Sequence, residues 1–314
     1  MNGWLAVRAA KLVARDLRWG MRLRRGRLVT ELGRAREALP VERSVRYIEQ
    51  VFEDYKNYGG GEAFRGRAAE IGPGDTAGVA LLMRWDGCNE VDLIDRYDNR
   101  SSLSHQAAVY RSLAERHGQD SSTLDNGVAP QTTWHIGEPA ELFFQHCRAQ
   151  SYDVIVSRAA MQHLYDPLHA LGEMVRCLRP GGQLLHKIDL RDLGLFSTNH
   201  HELTWLRFPD PMWRRMTVNS GRPNRVLVHS YRLTLEPLRE KGLLDYRLLV
   251  TQLVAVGDIT PHRPYDEIDR ATRQRAEAFV ASKRREFARP FREVATEDLA
   301  IAGVFLVAEK TSSL

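Results

Sequence analysis

Several short stretches of this chain hold residues whose types and spacing could do chemistry. In Ala69-Glu70-Ile71-Gly72-Pro73-Gly74-Asp75-Thr76, two glycines sit between a strand-like run and a helical one. Glycine lets the backbone turn sharply there and approach a ligand with no Cβ in the way. A dinucleotide fingerprint would want a third glycine at position 77, which is Ala77; Gly78 comes one residue late. Glu70 and Asp75 would also face a pyrophosphate with the wrong charge, whereas a ligand bearing an ammonium and a sulfonium suits them. Val91-Asp92-Leu93-Ile94-Asp95 then ends a second strand in a carboxylate placed to accept hydrogen bonds from ribose hydroxyls. The dinucleotide reading shares that last feature, so the glycine loop carries the discrimination.

A neutral hydroxyl is a poor nucleophile, and a positioned base should help it attack. His163, in Met161-Gln162-His163-Leu164, follows another strand-like run by a few residues and is the candidate base, with Asp192 as the second catalytic candidate. The plainer reading of His163 is a helix histidine bonded to backbone. Asp189 and Asp192 lie three apart and could share one face; with His163, His200 or His201 they could hold a magnesium-type ion. No other feature of the sequence supports a metal, and such carboxylates more often bind an acceptor hydroxyl or pair with arginine. The stretch 193–242 is rich in aromatics and arginine. Trp205, Arg207, Trp213 and Arg225, together with Asp189 and Arg191, are the candidates for holding an acceptor, since indole faces stack and guanidinium forks bind anions. The alternative is a cap with its own small core.

These residues need a scaffold, and the chain is long enough to build one. Its 314 residues are 43% hydrophobic and 27% charged, which excludes a disordered chain or a disulfide scaffold. Cys88, Cys147 and Cys177 form no CxxC pair, which argues against a zinc ribbon and suits reduced thiols in cytoplasm. Neither a membrane span nor a signal peptide's apolar stretch is present in the sequence. The net charge of +5 is concentrated at one end: residues 1–40 hold nine arginines and Lys11 against Asp16, Glu31 and Glu37. There Arg8, Lys11, Arg15, Arg18, Arg22 and Arg25 recur at helical spacing, with Ala6, Ala10, Val13, Leu17 and Met21 on the opposite face. This arm reads as a solvated helix packed on the domain by that apolar face, or as a peripheral anchor on an anionic membrane. From about residue 66 strand-like and helical runs alternate, with strands over Arg67–Ile71, Glu90–Ile94, Thr132–Ile136, Asp153–Val156 and Gln183–Ile188, then Tyr246–Val256 and Ile301–Val307. That alternation predicts parallel α/β folding.

In their order, these parts resemble a class I S-adenosyl-L-methionine-dependent methyltransferase over roughly residues 55–192 and again at the last two strands. Glu70–Gly74 resembles the cofactor loop and Asp95 the ribose-binding acid. Ile136-Gly137-Glu138-Pro139-Ala140 resembles the segment whose acid lies near the adenine amine, and Tyr152–Ser157 the strand that ends beside the transferred methyl. Leu178-Arg179-Pro180-Gly181-Gly182 resembles the turn into the fifth strand, and Ala302–Lys310 the final antiparallel strand. The resemblance implies a Rossmann-like seven-stranded sheet, mostly parallel with an antiparallel last strand, helices on both faces, and helical insertions forming an acceptor cap. It implies S-adenosyl-L-methionine as cofactor, S-adenosyl-L-homocysteine as product, and contacts from Glu70, Gly72, Pro73, Gly74, Asp75, Asp95, Arg96, Gly137, Glu138 and Ser157. The expected divisions are a helical arm over 1–57, a cofactor half over 58–192, an acceptor-side insertion over 193–242, and C-terminal strands over 243–314 with a helical insertion at 257–297. Ser157-Arg158-Ala159-Ala160 stands where nucleic-acid amino-methyltransferases carry Asn/Asp-Pro-Pro-aromatic, which speaks against base methylation of DNA or RNA. Ile188–Asp192, Trp205–Phe208 and Asn224-Arg225 are loosely similar to bacterial methyltransferases associated with surface-polysaccharide assembly. The implied reaction is O-methylation of a sugar or glycan hydroxyl; a natural-product alcohol, catechol or amine is the alternative acceptor, and a non-catalytic scaffold the rival class.

Overall fold

A computed structural model describes residues 3–26, 39–62, 64–196, 200–220 and 223–311, so residues 27–38 of the arm lie outside the described residues. Strands β1 (Gly66–Ile71), β2 (Cys88–Asp95), β3 (Thr132–Ile136), β4 (Tyr152–Arg158) and β5 (Leu178–Asp189) run parallel. Strands β6 (Leu244–Leu253), β7 (Gly257–Arg263) and β8 (Ile301–Lys310) complete one sheet in the order β3-β2-β1-β4-β5-β8-β6-β7. β8 runs antiparallel to both β5 and β6. The order reverses between β1 and β4, and the carboxyl ends of the strands beside such a switch point form the crevice where α/β sheets bind ligands.

One face of the sheet is covered by α2 (Val41–Tyr58), α3 (Gly78–Asp86) and α4 (Leu103–Arg116), which bury Val45, Ile48, Leu81, Leu82 and Leu113 with Val91, Val156 and Leu185. The other is covered by α5 (Ala140–His146) and α6 (Pro167–Cys177), with a cap of α7 (Asp210–Thr217) and α8 (Val228–Glu240). α6 forms where the sequence asks for it. Pro167 opens it, the Asp166 carboxylate accepts from the His169 N–H at 3.0 Å, and Ala170, Leu171, Met174 and Val175 are buried. Helices α9 (Arg270–Lys283), α10 (Arg289–Arg292) and α11 (Thr296–Ala300) lead back to β8.

Two expectations need correction. The sheet has eight strands, not seven, because the start of the supposed helical insertion at 257–297 is β7, paired antiparallel with β6. Gly257-Asp258-Ile259-Thr260-Pro261-His262-Arg263 lacks apolar alternation because it is an edge strand exposed along much of its length, the one setting where a strand tolerates proline. The other correction concerns α1 (Gly3–Arg24). It packs on the cap, but by Leu5, Ala9, Leu12, Asp16 and Trp19; Ala6, Ala10, Leu17 and Met21 face solvent. Asp16 decides the rotation. Its carboxylate is 2% exposed and accepts from Asn219 N (3.0 Å), Asn219 Nδ2 (2.9 Å) and Ser220 N (2.8 Å), and any side chain at Gly20 would overlap Asn219. No helix among the described residues is long and apolar enough to cross a membrane.

Candidate active site

The carboxyl ends of β1, β2, β4 and β5 enclose a cavity of about 300 Å³. Into it come Gly72, Gly74 and Asp75 from the loop after β1, Asp95 and Arg96 from the end of β2, His163 from the turn after β4, and Asp189 from the end of β5. Gly72 is left-handed (φ 68°), and its N–H bonds the Ile94 carbonyl at 2.8 Å, which binds the loop to β2. A Cβ there would lie 2.9 Å from the Ala160 Cβ, so the loop and the turn after β4 can meet only with glycine at this position. Asp95 accepts from Tyr97 N at 2.8 Å, which fixes the carboxylate at the cavity wall.

A second chamber of about 250 Å³ shares Gly72, Asp75 and Arg158 with the first. Glu70 and Pro73 line it, together with Arg43, Ser44 and Tyr47 of α2. Glu70 is 5% exposed, and its Oε2 is buried without a hydrogen-bond partner. Burial pushes its carboxyl up to about 8 by stripping water from the charged form. A ligand ammonium would favour the charged form, while Arg43, and Arg158 paired with Asp54, bring guanidinium groups to the same chamber. The two chambers together fit the donor expected from the sequence: acids for an ammonium, arginines for a carboxylate, Asp95 for a ribose, and glycine backbone along the path between.

His163 is carried by a short 3₁₀ turn, Met161–His163, which the chain enters through a left-handed Ala159 (φ 54°). Asn224 clamps this turn. Its Nδ2 donates to the carbonyls of Met161 (2.8 Å) and Leu164 (3.0 Å), and its N–H to that of Gln162 (3.0 Å). Half-buried, His163 therefore lines the cavity from a turn whose other carbonyls are satisfied by a cap residue.

Other expected site residues are placed elsewhere. Ser157 is fully buried with its Oγ 2.8 Å from His186 Nδ1, and lines neither chamber. Burial holds that histidine neutral, down at about 3. Glu138 points away to His146 (3.6 Å); its neighbours Pro139, Ala140 and Glu141 line the cavity instead. Gly137 serves indirectly, donating its N–H to the Asp95 carbonyl at 2.9 Å. Asp192, expected as a catalytic or metal group, is 1% exposed and accepts from Gly194 N (2.9 Å) and Phe196 N (2.7 Å), so it shapes the loop after β5. Asp189 lines the cavity while paired with Arg191 at 2.7 Å. Asp189, Asp192 and His163 do not gather as ligands, and no group of three such side chains that could hold a metal occurs among the described residues. His200 packs on Trp4 and His201 lies 3.8 Å from Glu286.

The acceptor candidates of the cap are also corrected. Trp205 is 1% exposed, and Trp213 donates its Nε1–H to the Pro223 carbonyl at 3.1 Å. Arg207 pairs with Glu286 at 3.0 Å. Arg225 donates to the Phe208 carbonyl at 2.6 Å, pairs with Asp210, and lies 4.9 Å over the rings of Trp213 and Phe291. These four hold the cap together and line neither chamber.

Sequence reasoning passed over Arg43, Ser44 and Tyr47, because α2 was grouped with the arm, and Glu141, whose Oε1 accepts from Tyr165 N at 2.6 Å. An acid in the first turn of a helix beside a cofactor segment was the available signal for Glu141.

Residues 46–235, more than half of the chain, match the family model described as a methyltransferase domain. No protein of curated function matches. Among solved structures, the chain is similar to the plantazolicin methyltransferase in complex with a triazolic desmethylPZN analog and SAH (13% identity, 99% of this chain and 100% of that one, TM-score 0.45). It is also similar to phosphoethanolamine N-methyltransferase 2 of Haemonchus contortus (17% identity, 83% of this chain and 52% of that one, TM-score 0.42). The YcgJ protein from Bacillus subtilis is a third (18% identity, 83% and 98%, TM-score 0.41). On the family match, which spans the glycine loop, Asp95 and the His163 turn, the chain belongs to the methyltransferase-domain family.

Proposed function

We propose that the protein uses S-adenosyl-L-methionine to methylate a hydroxyl of a sugar or glycan. The observation that carries this reading is a histidine in the wall of the cavity that is also lined by Gly72, Gly74 and Asp95. When bound, the donor supplies an electrophilic methyl on a sulfonium. Glu70 and Asp75 take the ammonium, Asp95 the ribose hydroxyls, and Arg158 with Arg43 the carboxylate. His163 accepts the hydroxyl proton as the acceptor oxygen bonds to the methyl carbon and the carbon–sulfur pair returns to sulfur. Walls of Ile71, Ile94, Ala160 and Leu164 keep water from the reacting atoms. Asp189, fixed by Arg191, is the carboxylate that orients a second acceptor hydroxyl. Three cysteines that form no disulfide suit a cytoplasmic place of action.

A screen with methyl-labelled donor tests the reading on nucleotide sugars, lipid-linked glycans, catechols and small amines. Label in an alkali-stable methyl ether of a sugar is expected. Transfer to an amine or catechol alone would replace the acceptor class, and absence of donor binding by calorimetry would sink the enzyme reading.

A further inference from the structure

We infer that the outward face of α1 is a docking surface for an anionic lipid bilayer. α1 spends one side on the fold, burying Leu5, Ala9, Leu12 and Trp19. Its remaining surface carries two adjacent ridges, since positions three and four apart line up along a helix. Lys11, Arg15 and Arg18 form the exposed basic ridge, with Arg25 exposed in the turn just past the helix end. Val7, Leu17 and Met21 form the other, with 56%, 55% and 49% of their surface in solvent. The only acid of α1, Asp16, is turned inward and bonded to Asn219 and Ser220, so no carboxylate of α1 itself lies on the outward face.

Charge complementarity selects the occupant. A second copy of α1 would bring like charges together, and a nucleic acid would engage the arginines but leave the apolar ridge in water. A bilayer with anionic headgroups takes both: headgroup phosphates meet the basic ridge while Leu17 and Met21 enter the boundary of the acyl chains. The helix is also joined to the cavity. Trp19 packs edge-on against Tyr97 at 5.5 Å, and the Asn219 carbonyl, on a residue held by Asp16, accepts from the Tyr165 hydroxyl at 2.6 Å. Tyr97 and Tyr165 both line the cavity, so docking would leave α1 between the bilayer and that wall and keep the cavity within one helix of an acceptor carried on a lipid. The docking surface stands alone; that last link rests on the transfer function proposed above.

Co-sedimentation of the full-length protein with vesicles provides the test. Binding to vesicles containing phosphatidylglycerol, weak binding to phosphatidylcholine alone, and release at high salt are expected. L17S/M21S, which adds no charge and touches no packed residue, should weaken binding by about tenfold. R15E/R18E should abolish it. Both should bind S-adenosyl-L-homocysteine as the unaltered protein does, which reports an intact fold. No binding to phosphatidylglycerol vesicles overturns the inference. So does binding that L17S/M21S leaves unchanged while a DNA duplex competes for it, because the surface would then be a general polyanion contact. Loss of S-adenosyl-L-homocysteine binding by the unaltered protein would instead overturn the transfer reading and leave vesicle binding to stand or fall by itself.

Discussion

The strand-end chambers and the cap over residues 200–240 draw on the same residue types, carboxylates, arginines and aromatic rings, and leave them in different states. In the cap the arginine that looked most available is spent: Arg225 has two carbonyls, a carboxylate and two ring faces. Asp192 and Asp16, on its borders, are saturated by backbone donors. In the chambers Glu70 Oε2, Glu141 Oε2 and Gln162 Oε1 are buried without partners. Each such atom costs about 1–3 kcal/mol; the cap has its own on Trp205, His229 and Tyr231, but those line neither chamber, whereas Glu70, Glu141 and Gln162 line cavities that a polar ligand can enter. An unpaired polar atom that also lines a cavity therefore marks the functional region better than residue type does. Asn224 crosses the division: it belongs to the cap by sequence and serves the His163 turn by contact.

The comparison can be broken most sharply at His163. His163→Ala should lower turnover by roughly two to four orders of magnitude, the range for a lost general base, with S-adenosyl-L-homocysteine affinity unchanged. Normal turnover in both His163→Ala and His163→Gln would make His163 structural and turn attention to Asp189.

Glu70→Gln comes next, expected to weaken cofactor binding by about a hundredfold, since a buried charge would lose its partner. The pH dependence has a fixed sign. Unliganded, Glu70 holds its proton up to about 8, so binding an ammonium below that pH must release it. Affinity should fall as pH drops below 8, and calorimetry in buffers of different ionisation heat should detect the released proton in the unaltered protein but not in Glu70→Gln. For the empty protein, the raised pKa means Glu70 favours folding most below its unfolded value near 4.5, and that contribution is lost as pH rises through 8. A glutamine should flatten this slope in urea melts.

The smallest expected effect lies in the cap. Arg225→Ala should cost about 2–3 kcal/mol of stability by urea unfolding, leaving the Phe208 carbonyl unpaired, with cofactor affinity within about twofold. A large loss of affinity with unchanged stability would show that the arginine reaches the ligand after all, and the contrast between the regions would fail.

How much was legible follows from the range of each interaction. The glycine loop, Asp95, the strand ends of the parallel half and the opening of α6 were readable because each depends on a few neighbouring residues: a left-handed glycine, an acid at a strand end, a proline at a helix start; the fifth strand begins at Leu178, earlier than the expected Gln183. Strand β7 was hidden because an edge strand exposed along much of its length carries no alternation. Of the expected site residues, Glu138 and Ser157 line neither chamber while their neighbours Pro139 and Arg158 do; at Ser157, a shift of one position along a strand exchanges one face for the other.

By itself, then, the sequence determined that a parallel α/β sheet would end in a glycine turn and a carboxylate at adjoining strand ends, and that residues 1–40 would carry a basic helix. Tertiary structure alone decided which polar groups remained for a ligand. Trp205, Trp213 and Arg225 have the composition of an acceptor site and became a cap core. Asp16 turned α1 so that leucine and methionine face outward. Arg43 and Tyr47 were delivered to the second chamber by a helix read as part of the arm. The physical reason is that a side chain's partners are set by contacts between residues tens to hundreds of positions apart. Local patterning fixes which element forms but not which of its faces is buried first.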